Sequence, residues 1–363
     1  LSYDWDQEYA TIDEHCRRTS QASFLELVEK GLSYQDERPV MWDVDFQTAI
    51  AQAEVADKEV PGQYNFYRFG IEDSDDYLVI ATTRPELLPA CVAVVVHPAD
   101  ERYQQYIGKK AVTPMFGVPV QIFDDEKVDR EKGTGVVMVC TFGDQTDVDW
   151  WREYKLPLRQ IVGRSGHLLP VLFREYKPEG RWRQATAGFE DEKGEISAPS
   201  TYLPSVSPDE ANRVYRQLEG LYVKKAQKAI IKIAEDADGI VDGPPEKITH
   251  PVRFFEKGDR PLELIPTRQW YTRIMDKKDA LVEQGQKIDW HPEFMMKRYE
   301  SWVDGLNQDW CLSPQRFFGV PVPVWYAVND AGEPDYDARI LPARDTLPID
   351  PLDSCPPGYT EDQ

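Results

Sequence analysis

Two spacings of apolar residues alternate along this chain. Phe24, Leu25, Leu27 and Val28 recur near the 3.6-residue helical period, and Gly31 is placed to stop that helix before Arg38-Pro39-Val40-Met41-Trp42. From about Val60 the pattern shortens. Tyr77 to Thr82, Val92 to Val96, Val118 to Phe123 and Gly135 to Cys140 are brief apolar runs rich in β-branched residues, parted by Pro, Gly and Asp clusters. They predict a compact β-rich domain. Residues 163–200 are mixed, with Pro178-Glu179-Gly180 and Lys193-Gly194 reading as turns. A helix is predicted next, with Ser207 as cap, Pro208 at the first position and Glu210 completing a capping box; Val214 and Leu218 give its apolar side and Gly220 its stop. Asp242-Gly243-Pro244-Pro245 reads as a linker. Beyond it, Trp270 to Val282 and Phe294 to Leu306 read as helices, Trp310 to Trp325 as strand and loop, and Pro342 to Gln363 as a Pro- and Asp-rich extension.

Length allows one decorated domain or two to three domains, since 363 residues at roughly 150 per domain give about 2.4. Hydrophobic residues at 41% and aromatics at 12% exclude a disordered or fibrous chain. The longest apolar stretch, Cys91 to Val96, is far short of the ~20 residues a membrane helix needs, and Leu1-Ser2-Tyr3-Asp4 is not a signal peptide. A soluble cytoplasmic protein is therefore expected. Five scattered cysteines offer neither a disulfide framework nor a CxxC zinc pair, and the five histidines are equally dispersed, so no metal site is expected. The 42 Lys+Arg against 64 Asp+Glu give a net charge of −22, which argues against a general polyanion binder and leaves room only for a local basic groove.

Common catalytic templates fit poorly. Gly133-Thr134-Gly135-Val136-Val137-Met138 begins like a dinucleotide fingerprint but lacks the third glycine, and no P-loop occurs. Gly163-Arg164-Ser165-Gly166-His167 approaches a nucleophile elbow until His stands where Gly is required, so it reads as a polar turn. Two strand ends are richer. Ala81-Thr82-Thr83-Arg84-Pro85-Glu86 sets two hydroxyls and a guanidinium at the end of one, and Phe142-Gly143-Asp144-Gln145-Thr146-Asp147 sets two carboxylates past the end of another. Taken singly, Thr-Thr can merely end a strand, and Asp144 or Asp147 can merely meet the free N–H groups of a helix start.

Taken together, Ala81 to Leu88, Val94-Val95-Val96-His97-Pro98-Ala99-Asp100-Glu101-Arg102-Tyr103, Gly133 to Met138, Thr141-Phe142-Gly143-Asp144 and Asp147 resemble the editing domain of valyl-tRNA synthetases. The flanks resemble class I synthetase catalytic-domain segments at Asp4-Trp5 through Asp13, at Thr267-Arg268-Gln269-Trp270-Tyr271, and at Asp309-Trp310-Cys311 through Gln315-Arg316-Phe317-Phe318-Gly319-Val320-Pro321. The resemblance is to the bacterial branch without zinc cysteines, and it covers essentially the whole chain. It implies an α/β fold: a β-rich editing domain of the valyl, isoleucyl and leucyl kind over 59–248, inserted in part of a Rossmann-type catalytic domain over 1–58 and 249–363. Neither the HIGH nor the KMSKS signature occurs, so a central fragment incompetent for aminoacylation is expected.

The resemblance further implies hydrolysis of the Thr-tRNA(Val) ester, with Asp147, Thr82 and Thr83 as catalytic residues and Arg84, Asp144, Glu86, Thr141 and Phe142 as substrate-binding ones. Asp147 would hold the substrate ammonium, with the two threonines near the aminoacyl-adenosine. The implied partners are the tRNA(Val) 3′ end and its threonine moiety, without a membrane and with a monomeric chain. No cofactor is implied for editing; ATP and Mg belong to the full-length parent. A non-catalytic tRNA-binding or structural role, and an isoleucyl- or leucyl-type editing domain, are the alternatives. The pattern departs from the family at Lys132, Met138 and Cys140, where relatives carry an aromatic, a Lys and a Thr, and at Pro314 in Ser313-Pro314-Gln315-Arg316. Zinc-ligand cysteine pairs of some relatives are replaced near Trp42 to Phe46 and Phe254 to Asp259.

Overall fold

Cys91 to Val96 is apolar at every position and all six residues are buried, which makes it a strand covered on both faces. In the computed structural model it belongs to the larger of two compact units, Pro39–Thr267; the other comprises Leu1–Arg38 and Arg268–Gln363. The structure describes residues 4–6, 8, 10–176, 187–190, 196–306, 308–315, 319–329 and 332–362. The turns expected at Pro178-Glu179-Gly180 and Lys193-Gly194, and the Arg316-Phe317-Phe318 part of the flanking motif, lie outside the described residues.

In chain order the elements begin with α1 (Glu14–Glu29), β1 (Ser33–Asp43), β2 (Thr48–Ala49), β3 (Val55–Ile71), β4 (Tyr77–Thr82), β5 (Cys91–Val96), β6 (Lys110–Val112), β7 (Pro119–Asp124), β8 (Val136–Cys140) and α2 (Gln145–Glu153). There follow β9 (Val171–Glu175), β10 (Ala187–Glu190), β11 (Ile196–Ser205), α3 (Pro208–Tyr215), α4 (Val223–Glu235), β12 (Glu246–Phe255) and β13 (Glu263–Thr272). The last are α5 (Lys278–Gly285), α6 (Met295–Gly305), β14 (Trp310–Cys311), β15 (Trp325–Val328), β16 (Pro334–Ile340) and β17 (Tyr359–Glu361).

A seven-stranded sheet in the order β12-β3-β6-β7-β5-β8, with β4 also on β3, organises the larger unit. Most of its pairs are antiparallel, while β5 and β7 run parallel from Ala93↔Gln121 to Val96↔Asp124. One core joins the sheet to α3 and α4 through Phe69, Ile80, Val94, Phe116, Tyr215 and Ile230. A smaller one gathers Val92, Val95, Val139 and the α2 residue Trp150. Each such side chain contributes about 1.5–3 kcal/mol relative to exposure. The insertion expected over 59–248 falls within this unit. Residues 39–58 and 249–267 belong to the same unit, because β12 pairs with β3 from Glu246↔Tyr64 through Phe255↔Val55.

Several local expectations change in the structure. Ser207 stands at the N-cap of α3 but makes no side-chain cap bond, so the expected capping box is absent. The first turn has instead Pro208 with Asp209 and Glu210, and Glu210 pairs with Arg213 at 3.4 Å. Trp270 and Tyr271, expected in a helix, lie in β13, whose residues are buried on both faces and so show no polar stripe. Beyond them a 3-10 turn, Met275–Lys277, leads into α5. The Asp242 linker is stitched to β3: Arg68 donates to its carboxylate at 2.7 Å and its own N–H donates to Phe66 O at 3.0 Å.

In the smaller unit the Pro- and Asp-rich tail is an integral part of the packing. β17 pairs with β15, and the Asp362 carboxylate accepts from Trp270 Nε1 at 2.9 Å, Tyr326 OH at 2.7 Å and Gln35 Nε2 at 2.9 Å. Trp270 meets Phe24 of α1 edge-on at 4.9 Å. Replacing Asp362 by Ala leaves these donors unpaired, and a loss of roughly 2–4 kcal/mol is expected in the transition reporting this unit. Urea unfolding of the full chain followed by tryptophan fluorescence measures it, with Asp362→Asn, which keeps an acceptor, losing less. An unchanged midpoint for Asp362→Ala would remove this tail from the unit's stabilising contacts.

Candidate functional site

The end of β4 and the end of β8 converge. Thr82 closes β4, and its Oγ1 accepts from the Arg84 N–H at 3.0 Å, turning the chain into a wholly buried 3-10 segment, Pro85–Ala90. Thr83 is half-buried, and its carbonyl accepts from Gln227 Nε2 of α4 at 2.7 Å. Past β8, the Thr141 N–H donates to Ala90 O at 3.3 Å and Cys140 Sγ donates to Leu87 O at 3.4 Å. These bonds lay Thr141 to Gly143 along the 3-10 segment.

Arg84 ties the two ends together. Its Nε donates to Glu86 Oε1 at 3.0 Å, its Nη2 to Glu263 Oε2 at 2.7 Å and its Nη1 to Gly143 O at 3.4 Å. Burial disfavours this guanidinium, but the carboxylates of Glu263 and Glu86 outweigh that and hold its pKa above the ordinary arginine value. Burial pushes Glu86, only 1% exposed, above the usual carboxylate range, and Arg84 offsets that only partly. One Glu86 oxygen, Oε2, is buried without a hydrogen-bond partner. Three of the five guanidinium N–H groups are thus engaged within the protein, leaving two. Glu263 was not among the residues expected here; it stands 179 positions from Arg84, with no local motif to mark it.

The two aspartates divide the work of the helix start. Asp144 is the N-cap of α2, its Oδ1 accepting from Thr146 N at 2.8 Å and Asp147 N at 3.1 Å, and the residue is exposed. Asp147, 6% exposed, reaches back so that its Oδ2 accepts from Gly143 N at 2.8 Å. No cationic side chain pairs with it among the described residues. Burial first, and then repulsion from Asp144, hold Asp147 well above the usual carboxylate range against the pull of these backbone N–H groups. A Cβ on Gly143 would stand 2.7 Å from Asp147 Oδ2, so the close approach requires glycine there.

Thr141 and Phe142 are buried. Thr141 Oγ1 accepts from Arg159 N at 2.9 Å, and the Phe142 ring meets Trp151 edge-on at 5.4 Å. Cys140 lies directly opposite Cys91 in the β5–β8 pair, both as free buried thiols, and Met138 is half-buried opposite Val94. Gly133 backs onto Ala81, its would-be Cβ 2.9 Å from that residue's methyl, which brings the Gly-Thr-Gly loop beside the end of β4. An open concavity of about 760 Å³ lined by His97, Asp100, Arg102, Arg130 and others shares only Gly133 with this site, and its Arg102 is neutralised by Asp100 at 2.6 Å. Among the described residues no group of three His, Cys, Asp or Glu side chains is placed to hold a metal ion, and no helix is long and apolar enough to cross a membrane.

The buried charge on Asp147 has a measurable signature. With its folded pKa above the unfolded value, this group favours the folded state most below the ordinary carboxylate range, and that contribution is lost as pH rises through the raised value. Asp147→Asn keeps an acceptor for Gly143 N–H and does not titrate. Its melting temperature relative to wild type is expected to rise between mildly acid and mildly alkaline buffer. Calorimetry across that span checks it, and a difference independent of pH would show that Asp147 is not an isolated buried carboxyl.

Comparison with known proteins places the chain. The family described as tRNA synthetases class I (I, L, M and V) matches residues 1–338. The valine–tRNA ligase of Thermobifida fusca (strain YX) is 47% identical over 367 residues, covering 100% of this chain and 38% of its own length. That of Salinispora tropica is 45% identical over 368 residues, covering 100% of this chain and 39% of its own. The chain therefore spans under two fifths of these relatives. A LeuRS–tRNA–LeuAMS ternary complex from Agrobacterium radiobacter K84 covers 95% of this chain and 38% of its own at 17% identity and a TM-score of 0.29. The strand-rich α/β architecture accords with the fold class expected from the sequence. This chain belongs to the class I tRNA synthetases, in the group that comprises the I, L, M and V enzymes.

Proposed function

We propose that this chain edits mischarged tRNA by hydrolysing the ester of threonine on tRNA(Val), as part of a valine–tRNA ligase, with 59–248 as the editing insertion and 1–58 and 249–363 as catalytic-domain segments. The observation that carries the reading is Asp147, a carboxylate buried beside the end of β4 with backbone N–H partners and no cation. An α-ammonium is the charge its surroundings lack. Such a charge-assisted bond contributes about 1.5–3 kcal/mol, and the arriving cation would displace the proton that burial favours.

The need for such a site follows from shape. A hydrophobic pocket rejects an isostere that adds a hydroxyl by only about 10²-fold, the established figure for valyl enzymes against threonine. A second, hydrolytic site must accept threonine through bonds that valine cannot make, and each buried group left unpaired by valine costs roughly 1–3 kcal/mol. Asp144 caps α2 through Oδ1, which leaves Oδ2 to accept from the threonine hydroxyl. Thr82 already accepts from Arg84 N–H, so its own O–H remains to donate toward the aminoacyl-adenosine, with Thr83 beside it. The two unengaged N–H groups of Arg84 would meet the terminal nucleotide. Glu86, Thr141 and Phe142 would shape the pocket from behind.

An ester is already activated, so orienting a water at its carbonyl and stabilising the developing oxyanion suffices, with water as the only co-reactant and no cofactor. This reading places the chain in the cytoplasm as a monomer, with ATP and Mg serving only the full-length parent. Asp147→Asn separates anchoring from capping, because the helix cap is Asp144. Thr-tRNA(Val) hydrolysis is expected to fall about 10- to 100-fold in Asp147→Asn, with Val-tRNA(Val) hardly hydrolysed by either protein. Full deacylation by a well-folded Asp147→Asn chain would sink the ammonium anchor. A wild-type chain that retards tRNA without shortening the ester's lifetime would be a binder only.

A further inference from the structure

Cys91 and Cys140 are the two cysteines of the larger unit, and the sheet brings them together as free thiols. They stand directly opposite in the antiparallel β5–β8 pair, where Cα atoms lie about 4.5–5.5 Å apart, inside the roughly 4.4–6.8 Å that a disulfide spans. Both side chains enter the same core cluster, so they lie on one face of the sheet. Sγ of Cys91 donates to Ala93 O at 3.4 Å and Sγ of Cys140 to Leu87 O at 3.4 Å, and the two thiols also interact with each other.

A guanidinium without a carboxylate lies beside them. Arg159 is buried and donates through Nη1 to the carbonyl of Cys91, and the groups that favour its charge are the ionised forms of Cys91 and Cys140. A thiolate at Cys91 is the anion this cation lacks, and the thiolate is the form of cysteine that attacks. Burial first, then Cys91 and the Asp147 carboxylate, hold the Cys140 thiol well above its ordinary value, with Arg84 acting the other way. Cys140 is also tied to the candidate site. It directly precedes the Thr141-Phe142-Gly143 loop, and its backbone N–H is among those that favour the charged form of Asp147.

We infer that Cys91 and Cys140 form a modification site, a dithiol that a small hydroperoxide converts reversibly into a cross-strand disulfide. The Cys91 thiolate attacks the peroxide: an S–O bond forms, the O–O bond breaks, and the departing oxygen leaves as an alcohol, or as water from hydrogen peroxide, with the proton given up by Cys91. Cys91 is then a sulfenic acid, its sulfur oxidised by two electrons and the peroxide reduced by the same two. The Cys140 thiol, already in contact, attacks that sulfur; the S–S bond forms, the S–O bond breaks, and hydroxide leaves as water with the Cys140 proton. No change of strand register is needed. Because β8 ends the order of strands in its sheet, local opening there admits a molecule the size of a peroxide, and the step is slow beside oxidation of exposed thiols.

The test treats the reduced full chain with hydrogen peroxide, alkylates the remaining free thiols in denaturant and maps the digest by mass spectrometry. A peptide pair joined through Cys91 and Cys140 is expected in most chains, absent from Cys91→Ser and returned to free thiols by dithiothreitol. Alkylated Cys91 and Cys140 after peroxide, or sulfinic acids at both with no link, would overturn the dithiol. The consequence for the site rests on the editing reading. The link draws Cys140 Sγ from Leu87 O and so shifts the loop that follows, and Thr-tRNA(Val) hydrolysis is expected to fall about 10-fold in the linked chain and to recover on reduction, while Cys91→Ser keeps its rate under peroxide. Full hydrolysis by the linked chain would overturn that consequence. The two failures are separable: a link in a chain that never hydrolyses the ester upholds the dithiol and sinks the editing reading, and hydrolysis by a chain that forms no link does the reverse.

Discussion

One part-buried cation organises the larger unit. Arg84 is gripped by Glu86, 1% exposed, and by Glu263, 6% exposed, and it reaches the carbonyl of Gly143. Removing one partner of such a buried pair costs about 3–5 kcal/mol, because a charge is left without compensation. The consequence is geometric as well as energetic. The guanidinium joins the turn after β4, the start of β13 and the loop after β8, so the position of Gly143 follows from it. Asp147 in turn takes its position from Gly143, whose N–H it accepts and whose missing Cβ makes room for it.

With two carboxylates around one guanidinium, the site is short of positive charge. Asp144 and Asp147 deepen the deficit on the adjoining loop. The nearby buried cation does not relieve it: Arg159, 8% exposed, donates through Nη1 to the carbonyl of Cys91 and sits with the thiols of Cys91 and Cys140, where burial pulls it down to about 10. Its position is fixed from the other side by its N–H to Thr141 Oγ1. Arg159 therefore meets the Thr141 end of the Thr141-Phe142-Gly143 loop and Asp147 the Gly143 end, with no ion pair between them among the described residues.

The parts of this arrangement that were legible in the sequence are those with short-range causes. Tyr77 to Thr82 and Cys91 to Val96 announce their strands by β-branched composition between turn signals, and Asp144 announces a helix start by the spacing of its carboxylate from the N–H groups it caps. Glu263 was invisible because its partner is remote in the chain and it sits in an ordinary apolar run. Trp270 was misread for a related reason: a strand covered on both faces has no polar side to betray its period. The capping box is not formed: Ser207 accepts no helix N–H, and its hydroxyl lies close to Gly117, 2.5 Å from where a Cβ there would stand. The tail looked like a loose extension because Asp362 shows its role only once Trp270, Tyr326 and Gln35 surround it.

In so acidic a chain the local distribution of charge matters more than the total. A net charge of −22 repels phosphates at long range, but screening limits that repulsion to about 8–10 Å at ordinary ionic strength, so local sign decides what docks where. Near the end of β4 the carboxylates of Glu86, Glu263, Asp144 and Asp147 exclude a phosphate and favour an ammonium. On α4 and at Lys132 the order is inverted.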